Sequence, residues 1–206
     1  MNVVREPVLH PVPIVDLRPT QITVGMREVD EKRKAFREKG SKSGTFLGNH
    51  MIPVALGPKK EPYILDHHHL ALSLHLEGVK HVLTSVAADL SYLDKETFWF
   101  VLAHKNWMHI YDAAGKLRTH EDIPKTVSGM QDDPYRSLAG ELRQAGGYAK
   151  DTAFYSEFLW ADYLRRNVKA KLLADDFDKA LKKALILARD QHASYLPGWS
   201  GPNPRN

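Results

Sequence analysis

Three consecutive imidazoles, His67, His68 and His69, directly follow Asp66 and stand where the pattern of the chain changes. Tyr63-Ile64-Leu65 is short, apolar and β-prone, and it follows the breaker-rich run Gly57-Pro58-Lys59-Lys60-Glu61-Pro62. It reads as the end of a buried strand. From Leu70 the apolar residues recur at helical spacing, Leu70, Ala71 and Leu74, with Leu72 and Leu76 widening the face until Gly78 stops it. Asp66 falls where a helix N-cap belongs, its carboxylate placed to accept from the first free N–H groups. Three rings therefore lie at the mouth of a strand-to-helix turn, where unpaired amides and the helix dipole favour a phosphate or a carboxylate.

Such a turn admits three kinds of behaviour. Successive residues on a helix point about 100° apart, so at most two of the three rings can meet one metal ion. Asp66 or the distant His50 would have to complete that set. Alternatively one ring, His68 or His69, serves phosphate-ester chemistry as general acid, base or nucleophile, with Asp66 or a neighbour holding its tautomer. In the third case the rings only pack and cap. The candidate anion contacts are His67 itself, Arg18, Thr20 and Gln21 in an early loop, Lys32 on an early helix, and Arg136 beside Asp133. Glu157 lies on the apolar side of its helix, and if buried it needs a partner, Arg136 or a histidine.

The 206 residues can build one core, or one core with a helical appendage. With 43% hydrophobic and 26% charged residues, the composition is that of an ordinary globular protein. No apolar run approaches the roughly 20 residues of a membrane span, and residues 1–17 lack the apolar stretch of a signal peptide, which favours the cytoplasm. Cysteine is absent, so any metal must use His, Asp or Glu. A net charge of +4 permits an anionic partner but is too small and dispersed to argue for nucleic acid.

The elements that must hold the turn follow from periodicity and punctuation. An edge strand is predicted over residues 11–17, a helix over 26–39 with Val29, Arg33 and Phe36 on one stripe, and strands over 51–56, 63–65 and 81–90. Alternation in the last of these places Val82, Thr84, Val86 and Ala88 on one face. A helix capped at Ser91 or Asp94 runs to His104, and residues 106–119 form a hairpin around Asp112-Ala113-Ala114-Gly115. Asp133 and Pro134 open a helix that Gly146-Gly147 closes, and further helices cover 152–167 and 175–192. The loop Lys42-Ser43-Gly44-Thr45 is like a phosphate cradle in composition only, because the Walker spacing is missing. Trp99, Trp107, Trp160 and Phe98 are expected in the core.

The strand into Asp66-His67-His68-His69, the helix ending at Gly78 and the earlier Leu17-Arg18-Pro19-Thr20-Gln21 loop resemble the nucleotide-binding turn of the ParB/sulfiredoxin-like superfamily. With Asp133-Pro134-Tyr135-Arg136 and Glu157-Phe158-Leu159-Trp160-Ala161-Asp162 added, nearly the whole chain resembles the putative ParB-like nuclease family. The resemblance implies an α+β fold: a small mixed sheet within residues 1–120, and a helical half, residues 121–206, packed so that the His turn and the Glu157 helix share one cleft. Superfamily relatives contact the phosphates of CTP, ATP or ADP through a Gly-x-x-Arg-like turn, usually with magnesium. Here that glycine is missing and His69 stands in the arginine's place, giving conditional charge and no bidentate fork. The expectation is a phosphate-directed enzyme (nuclease, phosphohydrolase or phosphotransferase) acting on a nucleotide, nucleic acid or phosphorylated small molecule, with magnesium or manganese as the cofactors to test. The rival is a non-catalytic nucleotide- or anion-binding module. No helix-turn-helix pair is present, so sequence-specific DNA reading is not expected.

Overall fold

A four-stranded mixed sheet with the spatial order β1–β5–β3–β4 carries the histidine turn. The structure is a computed structural model and describes residues 10–40, 48 and 50–202; the Lys42-Ser43-Gly44-Thr45 loop lies outside them. The fold is α+β, as expected. β1 (His10–Pro13) lies on one edge, antiparallel to β5 (His81–Asp89), where its two prolines interrupt no central ladder. β3 (Ile52–Leu56) and β4 (Pro62–Ile64) form a hairpin, and β5 returns beside β3 in parallel. The crossover between β4 and β5 is the helix α2 (His68–Leu76).

One side-chain alternation departs from expectation. Val82 and Thr84 are buried, but Val86 is 38% exposed. Among the described residues β1 covers β5 as far as Thr84, and the β3 register jumps from Val54↔Val86 to Ala55↔Ala88, leaving Ala87 as an extra residue. This is a β-bulge, and it redirects the end of the strand.

The described residues cluster into two compact units that interleave along the chain: a sheet unit (10–22, 29–40, 48, 50–111, 117–131) and a helical unit (23–28, 112–116, 132–202). In the sheet unit, α1 (Met26–Lys39) has the predicted span, although its first three residues belong to the other unit. Arg33 sits on the apolar stripe because Glu77, at the end of α2, receives its Nε at 2.7 Å and the Nε of Arg37 at 3.0 Å. The Arg33 hydrogen bond is the main reason the Glu77 carboxyl titrates below its usual range. α3 (Lys95–His104) is capped by Asp94, which accepts from the Thr97 N–H at 2.8 Å. Its Phe98 packs on Tyr63 with ring centroids 4.6 Å apart. Gly57 permits that contact, since a Cβ there would lie 2.5 Å from the Tyr63 ring. The expected hairpin is present, with Arg118 N–H donating to the Ile110 carbonyl at 2.8 Å.

In the helical unit, β2 (Thr23–Val24) accepts the Asp133 N–H on the Val24 carbonyl at 2.7 Å, just after β6 (Gln131–Asp132). Asp133 then caps α4 (Pro134–Gln144), as its position before Pro134 predicts. α5 (Ser156–Asn167), α6 (Ala170–Asp175) and α7 (Phe177–Leu187) complete the unit around Leu138, Leu142, Trp160 and Leu164. α5 starts later and α7 is shorter than predicted, and α6 was not expected. Asp176 leaves helical geometry and accepts from the Lys179 N–H, which divides α6 from α7. The segment after Pro197 is strapped down: Trp160 Nε1 donates to the Pro197 carbonyl and Ala149 N–H to the Gly198 carbonyl, each at 2.8 Å.

Candidate functional site

β4 continues its pairing one residue beyond the strand, with Leu65 N–H donating to the Pro53 carbonyl at 2.9 Å. The chain then turns sharply. Asp66 is exposed, and its Oδ1 accepts from the next amide, His67 N–H, at 2.6 Å. The expected Asp66 N-cap is therefore corrected: the carboxylate folds back on its neighbour, and the cap position passes to His67. That residue is left-handed (φ 68°, ψ 28°) and makes no side-chain cap bond. Left-handed backbone is uncommon for a residue with a Cβ, and here the His67 side chain offers no acceptor to the first turn of α2.

The three rings separate as helical geometry requires. His67 is exposed, whereas His68 and His69 are 5% and 8% exposed. His68 Nε2 accepts the backbone N–H of Thr20 at 3.1 Å, and Thr20 Oγ1 donates to the Ile64 carbonyl at 2.6 Å. An amide N–H can only donate, so Nε2 carries no proton and the ring is the neutral Nδ1–H tautomer. Burial, followed by the neighbouring His69, His67 and His109, pulls the His68 pKa down to about 3. Thr20 thus clamps the early loop to the start of α2, and proton transfer at His68 Nε2 would break the clamp.

The other sequence candidates divide between the units. Within the sheet unit, Thr20 and Gln21 are buried in the loop that reaches His68, Lys32 is half-buried on α1, and His50 is exposed. Arg18 turns to a different hollow. Its Nη2 donates to Glu61 Oε1 at 2.6 Å and its Nη1 to the Lys125 carbonyl at 3.0 Å, while Tyr63 Oη donates to Glu61 Oε2 at 3.2 Å. Burial and the Glu61 carboxylate push the Tyr63 phenol up to about 12, so it remains a donor.

Within the helical unit, Glu157 pairs with Arg143 at 2.7 Å, not with Arg136 or a histidine. Arg143 lies two helical turns along α4 from Arg136, and a sequence offers no way to choose between them. Arg136 is 7% exposed, with Nη2 3.3 Å from Glu28 and its guanidinium 5.4 Å from the Phe158 ring centre. Its Nε and Nη1 find no acceptor among the described residues. Glu28, 108 positions earlier, carries no local signal of this pairing. Arg165 joins the two late motifs, donating to Asp133 Oδ2 at 2.6 Å and to Asp162 Oδ1 at 3.3 Å. Among the described residues no three His, Asp or Glu side chains converge to hold a metal, so these residues do not by themselves fit a magnesium or manganese site.

Residues 10–166 match a family model described as putative ParB-like nuclease. The crystal structure of protein Atu1540 from Agrobacterium tumefaciens is similar, with 52% sequence identity and a TM-score of 0.89 over 95% of this chain and 99% of that one. No curated protein matches.

Proposed function

Because the chain belongs to the putative ParB-like nuclease family, we propose that it is a phosphate-directed enzyme acting on a nucleotide, nucleic acid or phosphorylated small molecule. The observation that carries this reading is Arg136. A guanidinium this buried, with one carboxylate near it and two nitrogens unsatisfied among the described residues, is costly to bury. A phosphate oxygen is the acceptor such a group is built to take. In the sheet unit, the start of α2, where the His67 side chain makes no cap bond, has the helix N-terminal preference for an anion.

Roles follow from the placement of each ring. His68 positions, since its Nε2 is engaged by Thr20. Proton transfer falls to His69 and the exposed His67, and Asp66 fixes the backbone of the turn through the His67 amide. A specific observation also supports the rival reading, a non-catalytic anion-binding module: the most buried of the three imidazoles is occupied by structure rather than by chemistry.

One set of measurements separates the two. Melting temperature is followed with ATP, CTP, ADP and a short single-stranded oligonucleotide, with and without Mg²⁺ or Mn²⁺, alongside hydrolysis of bis(p-nitrophenyl) phosphate. The enzyme reading expects ligand stabilisation together with turnover that His69→Ala abolishes while binding persists; Arg136→Met asks separately whether the helical unit holds phosphate. Stabilisation without turnover leaves the binding module. If none of these ligands shifts the melting temperature, the phosphate-directed reading fails.

A further inference from the structure

A hollow of about 560 Å³ opens in the sheet unit beside β4, and its lining includes none of the three turn histidines. That volume lies within the range of small-molecule sites. Trp99 forms part of its wall, with His120 stacked on it (ring centroids 5.2 Å apart, planes 25° apart) and Tyr63 edge-on at 5.4 Å. Packing leaves two features unexplained. The Trp99 indole N–H is buried and meets no acceptor among the described residues. In addition, Lys59, Lys95 and Lys125 line the hollow, exposed and without a carboxylate partner among the described residues. Arg18, the other cation in the lining, is already engaged by Glu61. Lys59 is moreover held left-handed, φ 61°, a conformation that glycine would adopt more easily.

We propose that this hollow is a second ligand seat, separate from the α2 turn, for a nucleoside monophosphate. The three lysines bring positive charge to the lining for a phosphate, and the outer face of His120, backed by Trp99, supports a flat ring. The Arg18–Glu61–Tyr63 chain of hydrogen bonds keeps the β4 side of the wall fixed, so little has to be ordered on binding.

The test uses the full chain and the Trp99 indole N–H resonance, assigned by its loss in Trp99→Phe. AMP and CMP are titrated, with adenosine and inorganic phosphate as the two half-ligands. A saturable shift of that resonance by a nucleoside monophosphate is expected, with affinity at least tenfold above either half-ligand. Lys59→Gly with Lys95→Ala should weaken it at least tenfold, as should His120→Ala in a protein whose remaining amide spectrum is unchanged. His69→Ala and Arg136→Met, which test the phosphate-directed reading above, should leave it alone. An unmoved Trp99 resonance overturns the proposal. So does inorganic phosphate binding as tightly as AMP, or AMP affinity indifferent to both the lysine and the His120 substitutions.

Discussion

His68→Gln should make the protein less sensitive to acid, and the size of the effect follows from one ring. In the fold His68 is neutral, because Nε2 accepts the Thr20 amide and burial holds its pKa at about 3; in the unfolded chain it titrates near 6.5. Above pH 6.5 both states are unprotonated and His68 adds no pH dependence. As pH falls below 6.5 the unfolded chain takes up a proton that the fold refuses, so stability is lost progressively until about pH 3. The linkage amounts to about 1 kcal/mol between pH 7.5 and 5.5 and about 3 kcal/mol by pH 4.5. Glutamine keeps an acceptor oxygen for the Thr20 amide but has no proton to gain. Urea unfolding of both proteins at a series of pH values isolates the ring, since the other ten histidines are common to both and cancel. The wild type should lose about 1 kcal/mol more than His68→Gln by pH 5.5. Parallel pH profiles would mean that His68 protonates freely in the fold, and both its clamp and its assignment as a positioning residue would go.

Two further substitutions test the local geometry. His67→Gly should stabilise the fold by about 0.5–1 kcal/mol, because glycine adopts the left-handed cap without Cβ strain; a lower urea midpoint would contradict the turn described here. Asp133→Ala removes both the α4 cap and the acceptor of a largely buried Arg165, and should cost about 3 kcal/mol or more. An effect below about 1 kcal/mol in the same assay would show that Arg165 finds another partner.

Local chemistry made much of this fold legible. Asp94 before Thr97 and Asp133 before Pro134 open helices, and Gly78 follows the end of α2, where short-range rules place such residues; α1 has its predicted limits. What stayed hidden depends on distance or on backbone sign. Nothing near His68 announces an amide 48 positions earlier, and nothing near Arg136 announces Glu28. The left-handed turn at His67 is invisible in the sequence because histidine gives no glycine-like signal, and short-range rules point to Asp66 as the cap instead. Glu157 was rightly expected to need a cation, but two arginines of α4 satisfied the pattern equally and only the fold selects Arg143.

The threading of the two units has a consequence for how this protein can be made and inherited. Residues 23–28 and 112–116 are claimed by the unit whose bulk is translated last, so a ribosome must release them long before their neighbours exist. Glu28 waits more than a hundred codons for Arg136. No single cut in the gene yields two self-sufficient pieces, and a recombination event that moved only the helical end would carry off an arginine without its carboxylate.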